Sequence, residues 1–292
     1  MSEFPPDIDP TRPRADLPET SFTLDLPGKG RIVGRAWNPA GAAGTVGILH
    51  GLGDHAGRYG RAVEALTAAG YAVEAIDLPG HGRSYGPRGH VDSWDDYRRA
   101  IDAWFARPRD GAAAPIALLG HSMGSLAALD VALANSGTVR ALVLSAPPFE
   151  LVLRTGMLKV RLAQLIVRLR PSFSQRTTIL PTMLSRDPDV VRAHNADPLV
   201  HYQMSARLFF EFTAVNAAMR RAAPRLSVPT HVIHGTGDAI SGHEGSRRWA
   251  ERTPPGLASL RLYPGLYHEL MNEPEGPGVA RDVATWLRAT LG

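Results

Sequence analysis

The stretch Ile116-Ala117-Leu118-Leu119-Gly120-His121-Ser122-Met123-Gly124 decides how this chain folds. An apolar run of strand length leads into the pattern Gly-x-Ser-x-Gly, and the following residues place Leu126, Leu129 and Leu133 on one face of a helix. In such a strand–turn–helix the glycines let the backbone turn sharply, which lifts the serine hydroxyl above the sheet. The sequence therefore predicts a nucleophile elbow with Ser122 at its tip, against the alternative of an ordinary Gly-Ser turn.

Short apolar strands alternate with helical patterns on both sides of this turn. The predicted strands are a hairpin over Ser21–Asn38, then Val46–Leu49, Ala72–Ile76, Ile116–Leu119, Ala141–Leu144, His231–Ile233 and Leu260–Leu262. The predicted helices are Arg61–Ala69, Trp94–Phe105, Met123–Ala134, Glu244–Arg252 and Val279–Thr290. Because this alternation builds βαβ units with right-handed crossovers, we predict an α/β protein with a mainly parallel eight-stranded sheet and helices on both faces.

The alternation stops between Pro147 and Pro224, where two helical patterns flank a segment rich in Pro, Ser and Asp. Since the strand pattern resumes afterwards, we read this stretch as an insert above the carboxyl ends of the strands, where open α/β sheets bind ligands. We therefore expect a poorly ordered N-terminal extension at 1–20, a core formed by 21–147 plus 221–292, and a helical cap at 148–220.

The composition is that of an ordinary globular protein, and it excludes several kinds of site. The 292 residues are 44% apolar and 21% charged and include no cysteine, which excludes disulfides, cysteine nucleophiles and thiolate metal sites. No segment resembles a signal peptide or a membrane-spanning helix, so we expect a cytoplasmic protein that at most touches a membrane surface.

The net charge of +4 is unevenly distributed along the chain. Residues 148–220 carry ten Lys or Arg against five Asp or Glu. A basic cap that faces anionic lipid or an anionic substrate accounts for this excess, as does an ordinary solvated arginine face. No basic run with interleaved aromatic residues is present, so we expect no nucleic-acid partner.

A serine nucleophile needs a base to take its proton and an acid to orient that base. In a fold with a nucleophile elbow the acid and then the histidine follow later strands in chain order. Asp238 follows the strand and glycine-rich turn His231–Gly237, and His268 is the only histidine beyond the last predicted strand. We predict Asp238 as the orienting acid, the alternative being an Asx-turn residue, and His268 as the general base.

Other residues near these positions have weaker assignments. The backbone N–H groups of Met123 and of Leu52, in His50-Gly51-Leu52-Gly53, are predicted to form the oxyanion hole. His121 is expected to pack or hydrogen-bond beside the nucleophile and is a candidate contact for the substrate, whereas His231 and His234 flank a strand and are expected to be structural. No two histidines stand at helical i, i+4 spacing with a third ligand nearby, so we expect no metal and no cofactor.

Five segments carry a resemblance to a known family: His50–Tyr59, Asp77–Ser84, Gly120–Gly124, Tyr263–Glu269 and, in the insert, Ser185–Pro188 with Asn195–Leu199. In these segments the chain resembles the monoacylglycerol lipases and related lysophospholipases of the α/β-hydrolase fold, of the serine aminopeptidase S33 type. The similarity runs from about Phe22 to the C-terminus. It implies Ser122 as nucleophile, Asp238 as acid and His268 as base, with Leu52 and Met123 as oxyanion donors.

The resemblance also points to substrate-binding candidates and to departures from the family pattern. Asp54 and Arg58 are candidate contacts for a polar head group, the alternative being a structural ion pair. His194 stands where the family has a cap tyrosine, and Met271 stands where vertebrate members have a second histidine near the glycerol. Ser125 and Ala239 replace a frequent glycine and arginine. These departures bear on how glycerol is recognised and leave the triad intact.

The expected function is hydrolysis of carboxylic esters of lipids, with monoacylglycerols ahead of lysophospholipids and of generic esters. An aminopeptidase is disfavoured because the cap has few acids to anchor a substrate amine. A catalytically silent binding protein is disfavoured by the intact triad, and dehalogenase or epoxide hydrolase chemistry by the serine at the nucleophile position. The sequence leaves the oligomeric state open.

The helical pattern over Leu158–Arg170 predicts how the cap meets lipid. Leu158, Leu162, Leu165 and Leu169 form one apolar stripe, as expected for a face that covers the core. A second stripe with Val160 and Val167 has basic residues on its flanks. We expect this second stripe to touch a lipid surface peripherally.

Overall fold

The computed structural model of the chain describes residues 9–14, 17–109, 115–134, 137–152, 166–167 and 169–292. The strands are β1 (Thr20–Leu26), β2 (Gly30–Trp37), β3 (Thr45–Leu49), β4 (Ala72–Ile76), β5 (Pro115–His121), β6 (Ala141–Ser145), β7 (Ser174–Arg176), β8 (Gln203–Ser205), β9 (Thr230–Gly235) and β10 (Ala258–Tyr263). The α-helices with both ends described are α1 (Gly60–Ala68), α2 (Asp95–Ala106), α3 (Met123–Ala134), α4 (Pro188–Ala196), α5 (Ala206–Arg221), α6 (His243–Ala250) and α7 (Gly276–Leu291).

Eight strands form one sheet in the order β1-β2-β4-β3-β5-β6-β9-β10. Strand β2 pairs antiparallel with β1 and β4, and the remaining neighbours are parallel. Strands β3, β4 and β6 are buried along their whole length, as strands covered by helices on both faces must be. The predicted eight-stranded, mainly parallel sheet is confirmed.

Buried side chains form two clusters, one on each face of the sheet. On one face α1 and α7 pack over the strands through residues such as Val63, Leu66 and Val283. On the other face α2, α3, α5 and α6 contribute residues such as Trp104 and Leu126. Removing these apolar side chains from water is the main stabilising term of such a layered fold. The layers hold β5, β9 and β10 in place, and Ser122, Asp238 and His268 follow the carboxyl ends of these three strands.

The expected cap contains structure that the sequence analysis did not predict. Strands β7 and β8 pair as a short antiparallel ribbon, and three residues per strand are too few to show an alternating pattern. Helix α4 begins where Asp187 accepts a hydrogen bond from the Asp189 N–H, with Pro188 in the first turn. This Asp-Pro pair is a helix start signal that the polar composition of the segment concealed.

Two further expectations concern the N-terminal segment and the helical pattern over Leu158–Arg170. Within the expected extension, Thr11 contacts the rest of the fold: its side chain is buried and its carbonyl accepts from the Gly60 N–H at 2.7 Å. The apolar stripes predicted over Leu158–Arg170 fall mostly on residues 153–165 and 168, which lie outside the described residues. Among the described residues, no helix combines the length and the apolar character needed to cross a bilayer.

Candidate active site

Ser122 occupies a sharp turn between β5 and α3. Its φ is 50°, in the left-handed region that a residue with a Cβ rarely adopts. Such a conformation costs on the order of 1–3 kcal/mol and persists only where the surroundings enforce it. The Ser122 N–H donates to the Ser145 carbonyl at 2.9 Å, and a Cβ at Gly120 or Gly124 would collide with the neighbouring backbone. Both glycines are therefore required for the tight strand-to-helix packing that fixes Ser122.

Ser122 and His268 line one cavity beneath the expected cap. The cavity opens to solvent. Its volume is about 510 Å³ when the open space at its mouth is included. The core contributes Gly51, Leu52, Asp54, His121, Ser122, His268 and Glu269, and the cap contributes Thr177, Ile179, Leu184, His194, His201 and Tyr202. Predicted site residues that are far apart in the sequence therefore meet at the carboxyl end of the sheet.

Asp238 lies behind His268 and is fully enclosed. The Nδ1 atom of His268 is 2.7 Å from Asp238 Oδ2. The other carboxylate oxygen, Oδ1, accepts from the backbone N–H groups of Ile240 and Ser241 at 2.8 and 3.0 Å. Since a carboxylate that faces Nδ1 accepts its hydrogen, Nε2 of His268 is left as the proton acceptor.

The electrostatics of the pair follow from this geometry. Burial by itself raises the pKa of Asp238, but the neighbouring His268 and the hydrogen bonds from His234 and His268 hold that pKa far below its usual range. Burial lowers the pKa of His268, and the Asp238 carboxylate more than offsets this, so that the His268 pKa lies above its ordinary value. Asp238 therefore stays ionised at all physiological pH values, and His268 is an effective base.

The ring of His121 packs beside that of His268. Its ring centroid lies 4.8 Å from that of His268, and its Nδ1 is 3.4 Å from Ser145 Oγ. Burial, reinforced by the neighbouring His268, lowers the pKa of His121 to about 4. The His121 ring is therefore neutral near pH 7 and does not compete with His268 for the serine proton.

The loop that carries Leu52 is fixed from both sides. The buried ring of His50 accepts from the Leu78 N–H at 2.9 Å through Nε2, so Nδ1 carries the hydrogen that it donates to the Gly51 carbonyl at 2.7 Å. Gly53 has a φ of 77° and its carbonyl accepts from the N–H of cap residue His201 at 2.9 Å. These contacts place the loop against the elbow, since a Cβ at Gly51 would lie 3.3 Å from the Ser122 Cβ. Met123 is the first residue of α3.

Asp54 and Arg58 belong to a buried ion network. The Arg58 guanidinium makes a bidentate pair with Glu269 at 2.9 and 3.0 Å and contacts Asp54 Oδ1 at 3.1 Å. Asp54 Oδ2 accepts from the Tyr59 hydroxyl at 2.9 Å. Arg58 is 1% exposed and lines only a smaller neighbouring cavity, whereas Asp54 lines both. The geometry thus agrees with the structural alternative for Arg58 and leaves Asp54 at the wall of the main cavity.

His194 reaches the main cavity from α4. The side chain is buried, its ring lies edge-on to Tyr202 at 5.7 Å, and Nδ1 has no hydrogen-bond partner among the described residues. Burial, together with the Arg58 charge, lowers the pKa of His194. A buried nitrogen without a protein partner is costly unless a ligand or water satisfies it, which fits a side chain that meets a polar group of a substrate.

Three further residues contact the predicted site residues and were not singled out as functional. Glu269 links His268 to Arg58, Ser241 donates to Asp238 Oδ2 at 2.9 Å, and the His234 Nε2 lies 3.2 Å from the same oxygen. The available signal was adjacency in sequence, because Glu269 follows His268 and His234 precedes Asp238 by four residues. Within the described part of the chain, no group of three or more metal-ligating side chains is placed to hold an ion.

Comparisons with known proteins agree with this geometry. A family model described as serine aminopeptidase, S33, matches residues 40–275. The chain is 34% identical over 267 residues to a monoacylglycerol lipase of Mycolicibacterium smegmatis. The aligned region covers 89% of this chain and 94% of that protein. It is 29% identical to the phospholipase YtpA of Bacillus subtilis, over 82% of this chain and 93% of that one. A crystal structure of the Paleococcus ferrophilus monoacylglycerol lipase superposes with a TM-score of 0.79 at 31% identity, covering 94% of this chain and 99% of that chain.

Proposed function

Because the chain belongs to the S33-type family of the α/β-hydrolase fold, together with monoacylglycerol lipases, we propose that it hydrolyses monoacylglycerols through an acyl-enzyme on Ser122. The observation that carries the proposal is the strained Ser122 in one cavity with a His268 whose Nδ1 is held by Asp238. A hydroxyl, a neutral imidazole and a buried carboxylate in this order are the components of acyl transfer by a serine hydrolase.

In the proposed mechanism the Ser122 Oγ attacks the ester carbonyl while His268 Nε2 accepts its proton. The imidazolium that forms is stabilised by Asp238, and His268 then gives the proton to the leaving alcohol. Water attacks the acyl-enzyme with His268 again as the base, which releases the fatty acid and restores Ser122. The reaction therefore needs no metal or cofactor.

The backbone N–H groups of Leu52 and Met123 are proposed to bind the oxyanion of each tetrahedral intermediate. Met123 begins α3, where N–H groups have no partner within the helix and the helix dipole favours negative charge. The Leu52 loop is held by His50 and by the cap through Gly53. Each such donor is worth about 3–4 kcal/mol in the transition state.

Polar groups on the cavity wall are proposed to receive the glycerol head group. Asp54 and the unpartnered Nδ1 of His194 face the cavity from the core and the cap respectively. Arg58 is proposed to contribute to head-group binding indirectly, because its hydrogen bonds hold Asp54 and Glu269 in place. The oxygens of both acids that line the cavity already accept hydrogen bonds from Arg58, Tyr59 or Asn272, which argues against an anchor for the free amine of an aminopeptidase substrate.

A lysophospholipase is the second candidate, and one observation favours it. The Arg176 guanidinium lies over the ring of the cavity residue Tyr202, 4.4 Å from its centroid, and Thr177 next to it also lines the cavity. A guanidinium at this position offers a bidentate contact for a phosphate. The similarity to a Bacillus subtilis protein named a phospholipase points the same way.

Rates on a substrate panel distinguish these functions. We expect kcat/KM for monoacylglycerols to exceed the values for lysophospholipids and aminoacyl amides by roughly tenfold or more, since pocket contacts commonly discriminate by about 10–200-fold. The panel is run in mixed micelles of one composition, with p-nitrophenyl esters as the reference for generic esterase activity. Faster turnover of aminoacyl amides would overturn the lipid assignment, and faster turnover of lysophospholipids would establish the second candidate.

The large exposed apolar side chains of the described residues point to a lipid surface. They all fall in the expected cap or at its start: Leu151, Val152, Leu169, Phe173 and Leu180, with Leu169 74% exposed. Arg170 and Arg176 lie among them in sequence and are exposed. Exposed apolar side chains flanked by basic ones are typical of an interfacial membrane contact. We therefore propose that this cytoplasmic protein touches anionic membranes peripherally through the cap.

The membrane contact is tested by Leu169→Asp combined with Phe173→Asp. We expect the double variant to lose most of its sedimentation with vesicles containing anionic lipid, because two charges would enter the apolar boundary. Activity on a short, water-soluble ester should stay near that of the unchanged protein. The matched control, Thr285→Asp with Ala289→Asp on the exposed side of α7, adds the same charge away from the cap. Equal loss of vesicle binding in both double variants would contradict a specific cap contact.

The division of the chain remains a proposal as well. We propose 21–147 plus 221–292 as the core, 148–220 as the cap and 1–20 as an extension. Helix α5 at the end of this cap range also packs on the core, because Leu208 lies in the same buried cluster as Leu126. The cap is thereby anchored to the core helices at its carboxyl end.

A further inference from the structure

Three side chains converge on one oxygen of Asp238. The Oδ2 atom is contacted by His268 Nδ1 at 2.7 Å, by Ser241 Oγ at 2.9 Å and by His234 Nε2 at 3.2 Å. His234 and Ser241 are completely buried, and no part of the Asp238 side chain is exposed. His268 follows β10 and His234 lies at the end of β9, and both contact the same carboxylate oxygen.

The neighbours of His234 determine where its hydrogen lies. Nε2 faces two acceptors, Asp238 Oδ2 and the Ser241 carbonyl at 3.0 Å, so Nε2 carries the hydrogen. Nδ1 is 2.7 Å from the Ser246 hydroxyl, which can donate to it. The hydrogen-bond network therefore assigns the Nε2–H of His234 as a donor to Asp238.

We propose that His234 is a positioning residue that sets the basicity of His268, by drawing part of the Asp238 Oδ2 charge away from the His268 Nδ1–H. This inference rests on the proposed function. A carboxylate oxygen that accepts an additional hydrogen bond is a weaker acceptor for its remaining donors. Removing the His234 donor should therefore strengthen the Asp238–His268 bond and stabilise the protonated form of His268.

Several other charged or titratable groups face His268. They are Asp238 and Glu269, both ionised, His121, Arg58 behind Glu269, and Asp54 and His194 at the cavity. The pKa of His121 is about 4, and burial also lowers the pKa of His194. The acid limb of kcat/KM therefore reports His268, which must be neutral to accept the Ser122 proton: activity falls as the pH falls through the His268 pKa.

The test compares His234→Asn with His234→Gln in the full chain. A glutamine amide reaches the position of Nε2 and keeps a donor toward Asp238, whereas an asparagine amide reaches only the position of Nδ1. We expect His234→Asn to move the acid limb of kcat/KM on a soluble ester upward by about half to one pH unit. His234→Gln should keep the limb close to that of the unchanged protein. His231→Asn is the matched control, since His231 is also a buried histidine of β9 but bonds Ser259.

The outcomes separate this inference from the proposed function. If Ser122→Ala abolishes activity and His234→Asn lowers thermal stability without moving the acid limb, His234 is only structural and the inference is wrong. A shift of equal size in His234→Gln or in His231→Asn contradicts it too. If His234→Asn does not fold, His234→Met, which fills the site without a donor, takes its place. Activity that survives Ser122→Ala would instead overturn the proposed function itself.

Discussion

Ser122→Ala is expected to lower kcat for ester hydrolysis by about 10⁵-fold or more, to the level left by binding and the oxyanion donors alone. The substitution removes the only oxygen that the elbow presents to the cavity and leaves the turn in place. Covalent labelling by a fluorophosphonate should disappear together with activity. Both are measured on purified protein, with the site of labelling read by mass spectrometry.

Ser125→Ala is the matched control for this prediction. Ser125 lies one turn further along the same helix, and its hydroxyl donates to the Ser122 carbonyl at 2.5 Å. Its loss should leave labelling intact and change kcat only slightly. Failure of the unchanged protein to be labelled at Ser122 would favour the silent binding protein that the triad argues against.

Asp238→Asn is expected to lower kcat by about 10⁴-fold, the size of effect known for the equivalent change in serine proteases. The reason is specific to this site. Because two backbone N–H groups donate to Oδ1, the amide oxygen of an asparagine would occupy that position and the amide nitrogen would replace Oδ2. His268 Nδ1 would then face a donor, and the hydrogen would move to Nε2. In that tautomer His268 cannot accept the Ser122 proton.

The measurement is kcat at several pH values, accompanied by thermal unfolding to show that the variant is folded. Asp282→Asn is the control, since Asp282 also follows β10 and accepts from a tyrosine hydroxyl at 3.0 Å but lies on α7 outside the cavity. The control should keep nearly full activity. Retention of more than about a tenth of kcat by Asp238→Asn would exclude Asp238 as the orienting acid.

The sheet and its helices could be predicted because their signals are local. Each strand predicted after the hairpin lies within an observed one. Helix α3 has the predicted bounds, because Gly120 near the end of β5 and Gly124 in the first turn of α3 allow the strand and the helix to pack closely around Ser122. The ribbon of β7 and β8 could not be predicted, since strands of three residues have no period. Helix α4 was concealed by polar residues on its exposed face.

The order Ser122, Asp238, His268 could be proposed from the sequence because a serine nucleophile requires a base and an acid, and these residue types follow successive late strands. The structural role of Arg58 could not be predicted from the sequence, because Glu269, with which it forms a bidentate ion pair, is 211 residues away. A sequence can list both charges, but only packing decides whether they meet each other or a substrate. The same holds for the hydrogen bond from the His201 N–H to the Gly53 carbonyl, in the loop that carries Leu52.

The amino-acid sequence by itself determined the α/β architecture, the elbow at Ser122 and the family, because apolar periodicity and required glycines act over a few neighbouring residues. Only the tertiary structure decided which oxygen of Asp238 faces His268, and that a second buried histidine shares it. Hydrogen-bond direction depends on distances of a few tenths of an ångström between strands, and these are fixed by the packing of the whole sheet rather than by any segment of the chain.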